Sequence, residues 1–370
     1  MITLTVDTTD YHTAGEPFRI VADVPVPLPG DSVADRRARA LTSTAAQELR
    51  LTLCSEPRGH ADMYGGFIVP PDDAGAHLGV LFWHKDGFST ACGHGTIALG
   101  AWAVDTGLVP APDDGVVDVV VDVPSGRVTA RVHRAAGRTV AVDFVNVPSY
   151  VLARDLAVPT SRGVASATLV YGGAIYASVD ATSLGLSVDP ASYGDLIAVG
   201  REIKRALDAG GRAVHPTDPR LSGVYGTILY EELGDPGTGT GGTSGGSGPS
   251  VSDGPGPGPG PRPRPGNSST VHQRNVTVFA DGQVDRSPCG SGTAARLAAL
   301  ADDGRVGVGG AILRHESIVG SEFTGTIVGT TRVGDLPAVI PQVTGMAYRT
   351  GEHRFVVDDA DPLVPGFVLR

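Results

Sequence analysis

Apolar and polar residues alternate along much of this chain. In VVDVVVDVPSG, RVTARVHR and TVAVDFVNVPSYV nearly every second position is apolar, and turn residues punctuate such runs about every eight to twelve positions. A period of two predicts strands with one buried face, paired mostly antiparallel. Four stretches carry a helical period instead: DRRARALTSTAAQELRLTL, GTIALGAWAVDTG, YGDLIAVGREIKRALDAGG and GTAARLAALADDG. The pattern predicts an α/β (α+β) protein with many strands and few helices.

One segment breaks the pattern. From about 234 to 269 the chain is dominated by Gly, Ser, Thr and Pro, with almost no residue able to enter a core. It reads as a solvated, disordered insertion. The strand-like runs on either side, VYGTILYEEL and TVHQRNVTVFA, are expected to pair across it, because loop-closure entropy grows only slowly with length.

A weak internal repeat carries the candidate chemistry. Residues 92–98 read CGHGTIA and residues 289–295 read CGSGTAA, and each opens a helical run. The repeat predicts two similar lobes, each presenting a cysteine at a helix start. Unpaired N–H groups there stabilise anions and draw a thiol's pKa down toward neutrality. The adjoining glycines let a ligand approach bare backbone. A substrate carboxylate held by the amides of Gly93, His94, Gly290 and Ser291 would set its α-carbon between two sulfurs. One thiolate could then remove the α-proton while the opposing thiol delivers another.

Composition narrows the alternatives. The 370 residues are 41% hydrophobic and 19% charged, enough for two domains, and the net charge of −11 argues against nucleic acid or an anionic membrane as partner. The N-terminus lacks a basic, then apolar, leader and no run of 18 apolar residues occurs, so a cytoplasmic, unanchored protein is expected. Three cysteines without a close pair oppose a disulfide framework. Cys54, in the apolar run LTLC, reads as a packing residue. Only Lys85 and Lys204 could form the Schiff base that pyridoxal phosphate requires, so no cofactor is expected. Cys92 and His94 make too few ligands for a structural metal, and the second copy replaces the histidine with Ser291. His12, His60, Glu16, Arg19 and Thr293 read as structural, and Phe279 as either a pocket wall or a core residue. A passive imino-acid binder or a thiol redox protein would leave the paired Gly-rich helix starts unexplained.

Several strings resemble the proline racemase family: DYHTAGEPFRIV, RGHADMYGGFIVPP, GFSTACGHGTIALG, GGAIYASVDA, NVTVFADGQVDRSPCGSGTAARLA and HESIVGSEFTG. The likeness spans nearly the whole chain except the Gly/Pro insertion. It implies a two-lobed diaminopimelate-epimerase-like fold with pseudo-twofold symmetry and an active site between the lobes. One lobe would comprise residues 1–150, completed by strands at about 340–370, and the other residues 151–339. By the resemblance, Cys92 and Cys289 are the catalytic base/acid pair. Gly93, His94, Gly290 and Ser291 bind substrate, Asp285 meets the substrate amine, and no metal or organic cofactor takes part. A homodimer is compatible with it. The small-molecule partner would be proline or a hydroxyproline. Two thiols point first to racemisation or epimerisation. The contexts around Tyr64 and Cys92 resemble instead the trans-3-hydroxy-L-proline dehydratase branch, which has Thr where this chain has Cys289, and dehydration is the alternative.

Overall fold

The computed structural model describes residues 2–234 and 270–369; the Gly/Pro insertion expected at 234–269 lies almost wholly outside them. The chain opens with β1 (Ile2–Thr13), β2 (Glu16–Val21), α1 (Val33–Ala40), α2 (Thr44–Cys54), β3 (Gly65–Val69), β4 (Leu78–His84) and β5 (Gly87–Phe88). It continues with α3 (Gly93–Asp105), β6 (Gly115–Val123), β7 (Gly126–Ala135) and β8 (Arg138–Val145). After β9 (Tyr150–Thr160) come β10 (Gly163–Tyr171), β11 (Ile175–Asp180), α4 (Tyr193–Ala209), β12 (Val224–Glu232), β13 (Thr270–Phe279) and β14 (Gln283–Asp285). The last elements are α5 (Gly290–Asp302), β15 (Ile312–Ser317), β16 (Glu322–Val333), β17 (Leu336–Gly345) and β18 (Ala347–Asp358). The first predicted helix is two: α1 and α2 are separated at residues 41–43, where Ser43 caps α2 by accepting from the Ala46 N–H.

The pairing pattern repeats. In the first half β1 pairs antiparallel with β2, β2 parallel with β3, β3 antiparallel with β4, and β4 with β5 antiparallel and β6 parallel. The second half repeats this with β10, β11, β12, β13, β14 and β15 in the same order and senses. Antiparallel hairpins β6–β7–β8 and β15–β16–β17 complete each set. Strand exchange ties the halves together, since β9 pairs with β10 whereas β18 returns to pair with β1. A β8–β17 ladder joins the two sets into one sheet. This two-lobed symmetry places α3 and α5 in equivalent positions, as the sequence repeat predicts.

Both central helices are enclosed, and the few polar side chains before their C-terminal ends, His94 and Thr96 on α3 and Ser291, Thr293 and Arg296 on α5, are buried with the rest. Every residue of α3 from Gly93 to Val104 is buried, as is every residue of α5 from Gly290 to Leu300. Close packing demands small residues there. A Cβ on Gly100 would lie 2.6 Å from the Ala130 Cβ.

The strands flanking residues 235–269 pair as expected, from Gly226↔Phe279 to Glu232↔Gln273, and the Leu233 N–H then donates to the His272 carbonyl at 2.9 Å. The hairpin is therefore closed at its base by described residues. Replacing residues 235–269 with a short Gly-Ser turn should shift the thermal midpoint by no more than about 2–4 °C, equivalent to roughly 1 kcal/mol in a chain of this size. Calorimetry of the shortened protein checks this; a larger fall would show that the segment contributes packing of its own.

Candidate active site

Both repeated cysteines are helix N-caps. The Cys92 sulfur accepts from the Gly95 N–H at 3.2 Å, and the Cys289 sulfur from the Gly292 N–H at 3.3 Å. The helices meet N-terminus to N-terminus. A Cβ on Gly93 would lie 2.6 Å from the backbone of Gly290 and Ser291, and one on Gly290 would lie 2.7 Å from the backbone of Gly93. Only glycine permits this approach, which converges two sets of unpaired N–H groups and two positive dipole ends on one point.

The two thiols are held differently. Cys92 has an extended backbone, φ −156°, whereas Cys289 has φ +62°, a left-handed conformation costing a non-glycine residue about 1–3 kcal/mol. The preceding loop enforces it. Asp285 Oδ1 accepts from the Ser287 N–H at 2.8 Å and the Ser287 hydroxyl at 2.7 Å, and the Cys289 N–H donates to Ser287 Oγ at 3.1 Å. Behind the loop, the Thr293 hydroxyl contacts the Pro288 carbonyl at 3.2 Å and Nδ1 of buried His315 at 2.8 Å. Thr293 is thus a hydrogen-bonder, as the sequence suggests.

His94 lies against Cys92, with both ring nitrogens 3.5 Å from the sulfur, and its Nδ1 is 3.7 Å from Asp285 Oδ2. Burial lowers the His94 pKa against the pull of Asp285, favouring the neutral ring. Asp285, on β14, therefore joins the second lobe to the first beside Cys92. The Ser291 hydroxyl is 2.6 Å from Tyr176 Oη, which is itself 3.9 Å from the Cys289 sulfur. All seven residues singled out by sequence thus converge at the junction of α3 and α5.

Electrostatics correct one expectation. Desolvation is the largest effect on both thiols and raises them; the Asp285 carboxylate adds to it, while the Gly95 and Gly292 N–H groups oppose it. In this closed arrangement burial outweighs the helix ends, and both thiols are protonated at neutral pH rather than poised near it. Cys54 is also raised by burial, in the core formed by α2.

The structural residues divide as follows. Arg19 pairs with Asp10 at 2.8 Å and donates to the Leu53 and Arg58 carbonyls. His12 Nδ1 accepts from the Gly15 N–H, and His60 Nδ1 from the Asp62 N–H. Glu16 does more than hold a strand end: its Oε2 accepts from the Arg286 N–H at 2.7 Å, across the lobes. Burial and Asp285 push the Glu16 carboxyl well up, against Arg286. Asp62 supports the same loop through Arg286 Nη2 at 2.5 Å.

Sequence reasoning missed an aromatic arc. Tyr64 lies 5.0 Å from His94 and 5.9 Å from Phe279 between ring centroids; Phe279 stacks on Tyr225 at 5.6 Å, and Tyr225 meets Tyr176 at 5.5 Å. Phe279 is buried in the main core and packs against Tyr64, His84 and Tyr225. Tyr64 and Tyr176 stand within strings that carry the family likeness, but no spacing rule connects residues from β11, β12 and the segment before β3. Outside the arc, a cleft of about 530 Å³ is lined by Ser89 and Tyr225 and rimmed by Arg37, Arg201, Lys204, Arg205 and Arg220.

Among the described residues, no cluster of three or more His, Cys, Asp or Glu side chains could hold a metal, and no helix is long and apolar enough to cross a membrane.

Two pseudo-symmetric lobes, each offering a cysteine-capped helix to a shared centre, define the diaminopimelate-epimerase-like architecture. Within that class the chain belongs to the proline racemase family, whose profile matches residues 8–243 and 263–368. It is 40% identical over 372 aligned residues to a trans-3-hydroxy-L-proline dehydratase of Burkholderia ambifaria, covering 100% of this chain and 99% of that one. It is 39% identical, with the same coverage, to a 3-hydroxyproline 2-epimerase of Burkholderia multivorans. The crystal structure of a hydroxyproline epimerase from Agrobacterium vitis with bound trans-4-hydroxy-L-proline superposes with a TM-score of 0.85 at 29% identity, covering 100% of this chain and 96% of that one.

Two expectations follow from the geometry. Gly290→Ala should lower stability by about 1–3 kcal/mol through forced backbone separation. Gly194→Ala, where a Cβ meets nothing within 4 Å, should leave the denaturant midpoint unchanged or slightly raised. Because both site thiols are raised, their alkylation by iodoacetamide should be slow at pH 7 and accelerate about tenfold per pH unit through pH 9. Peptide mass spectrometry reads each cysteine; a plateau below pH 8 would contradict protonated thiols.

Proposed function

We propose that this protein is a cofactor-independent racemase or epimerase that inverts the α-carbon of proline or a hydroxyproline by a two-thiol mechanism. The observation that carries this reading is the pair of cysteine N-caps on helices whose N-termini abut at Gly93 and Gly290. Substrate carboxylate would rest on the amides of Gly93, His94, Gly290 and Ser291. Its ammonium would meet Asp285. That cation offsets the carboxylate which, with burial, holds both thiols up, so binding favours the thiolate form of one of them.

The thiolate then takes the α-proton, forming an S–H bond as the Cα–H bond breaks. Negative charge spreads onto the carboxylate, where converging N–H groups stabilise it. The opposing thiol protonates the other face and becomes the thiolate. The product is the inverted amino acid, and the two sulfurs have exchanged protonation states. The buried, free cysteines suit a reducing compartment, and we assign the enzyme to the cytoplasm.

A second reading is favoured by the dehydratase relative: elimination of water from trans-3-hydroxy-L-proline. The same thiolate would take the α-proton, the C3–O bond would break, and the leaving hydroxide would take the opposing thiol's proton as water. The cyclic enamine so formed tautomerises to an imine.

Heavy water separates the two. Inversion should place one solvent deuterium at the α-carbon of the product, and Cys92→Ala or Cys289→Ala should each cut inversion by at least about a thousandfold. Chiral chromatography with mass detection reads both. Formation of an aldehyde-reactive imine from 3-hydroxyproline, with neither proline nor 4-hydroxyproline inverted, would overturn the first reading in favour of the second.

A further inference from the structure

The peptide that enters the second cysteine is held by side chains at both ends. Its carbonyl, that of Pro288, accepts from Asn275 Nδ2 at 3.1 Å and from the Thr293 hydroxyl at 3.2 Å, while its N–H, that of Cys289, donates to Ser287 Oγ at 3.1 Å. The orientation of this peptide plane sets φ of Cys289, the +62° that a non-glycine residue keeps only where its surroundings over-determine it. Asn275, on β13, also donates to the Glu316 carbonyl on β15 at 3.1 Å. Turned over, its amide would set Oδ1 against two carbonyl oxygens, so its partners fix one orientation. Asn275, Thr293 and His315 are all 0% exposed.

The first lobe has no counterpart of this clamp. Thr277 faces Asp285, four residues before Cys289, as Trp83 faces Phe88, four residues before Cys92. Two residues back along each strand, Asn275 therefore corresponds to Leu81, which has no side-chain donor. Thr96 occupies the helix position of Thr293, but its hydroxyl donates within α3, to the Cys92 carbonyl at 2.8 Å. The two copies share the threonine and differ in what it holds. Cys92, with its extended backbone, has no strain to be held against.

His315 completes the clamp from behind, its Nδ1 lying 2.8 Å from Thr293 Oγ1. The single hydroxyl proton of Thr293 points to Pro288, so the imidazole supplies the other one, from Nδ1–H. The opposite tautomer would bury an N–H at Nε2, which has no partner, and orphaned buried N–H groups are rarer than orphaned acceptors. Donation then runs in one direction, from ring to hydroxyl to carbonyl, and each bond polarises the next. Burial, with Arg296 adding to it, holds the ring neutral.

We infer that Asn275, Thr293 and His315 are positioning residues for Cys289: they lock the peptide before it and so keep the second sulfur on the α5 N-cap, whereas Cys92 stands without such a clamp. The inference rests on the reading of the two cysteines as a reacting pair and deepens it. All three residues act through the Pro288 carbonyl. Released from it, Cys289 relaxes out of the left-handed region and its sulfur leaves the Gly292 N–H.

Iodoacetamide labelling of the full chain at about pH 9, read at each cysteine by peptide mass spectrometry, tests this with Cys92 as the internal reference. Thr293→Val keeps the side chain's shape and removes the hydroxyl; it and Asn275→Ala should each raise the Cys289-to-Cys92 labelling ratio about five- to tenfold, the worth of one buried hydrogen bond. Thr293→Ser should return the wild-type ratio. A ratio that fails to rise, a rise shared equally by Cys92, or a serine variant that behaves as valine would overturn the inference. A second measurement needs no variant: nitrogen NMR of the histidine-labelled protein, with His315 assigned through its proximity to the Thr293 methyl group, should show the proton on Nδ1, and a proton on Nε2 would equally overturn it. Failure of the functional reading looks different: the labelling ratios and the tautomer would come out as stated, yet no inversion, α-deuterium exchange or imine would appear with any imino acid.

Discussion

Everything at the centre of this protein depends on two helix ends meeting backbone to backbone. Gly93 and Gly290 face each other closely enough that neither has room for a Cβ. Their contact holds the N-terminal amides of α3 and α5 in one small volume. Each helix alone would offer an ordinary anion site. Two opposed ends converge their N–H groups on one junction, with one cysteine sulfur capping each helix.

The fold is arranged to hold that contact. The symmetric strand sets present α3 and α5 equivalently, and each lobe lends a strand to the other through β9 and β18. Side chains then pin the junction from several directions: Glu16 and Asp62 grip Arg286, Thr13 reaches the His94 carbonyl at 2.9 Å, and Ser321 reaches the Ala14 carbonyl at 2.7 Å. Thr90 and Asn146 fix the Gly172–Gly173 turn, at 2.9 and 2.8 Å. Three of these bonds, those of Thr13, Thr90 and Asn146, are buried, so breaking one leaves an unpaired polar group. The lobes are joined by many such contacts rather than by a hinge.

The symmetry is broken where the chemistry needs difference. Cys92 carries a histidine two residues on and an unstrained backbone. Cys289 carries a serine held by Tyr176 and a strained backbone held by the Asp285–Ser287 turn. Asp285 serves both sides: it orders the turn that positions Cys289, and it stands near His94 on the Cys92 side.

Local pattern in the sequence determined the elements: period-two runs became strands, the helical runs became helices, and the repeated CGxGT strings became the two N-caps. Local chemistry acts over a few residues, so it is legible in a few residues. The repeat also disclosed the symmetry, because two copies of a helix start imply two copies of what supports it. Tertiary structure alone decided the rest. The sense of the thiol pKa shifts depends on how completely surrounding side chains exclude water, and no spacing encodes that. Tyr64, Ser89 and Tyr225 come from three separate segments and acquire meaning only when packing brings their hydroxyls within hydrogen-bonding distance. Glu16 looks like a strand-end residue until Arg286, 270 positions away, is seen to donate to it. Contacts between residues so distant in the chain arise from packing of the whole, which is why the paired cysteine N-caps were legible in advance and the tyrosine contacts were not.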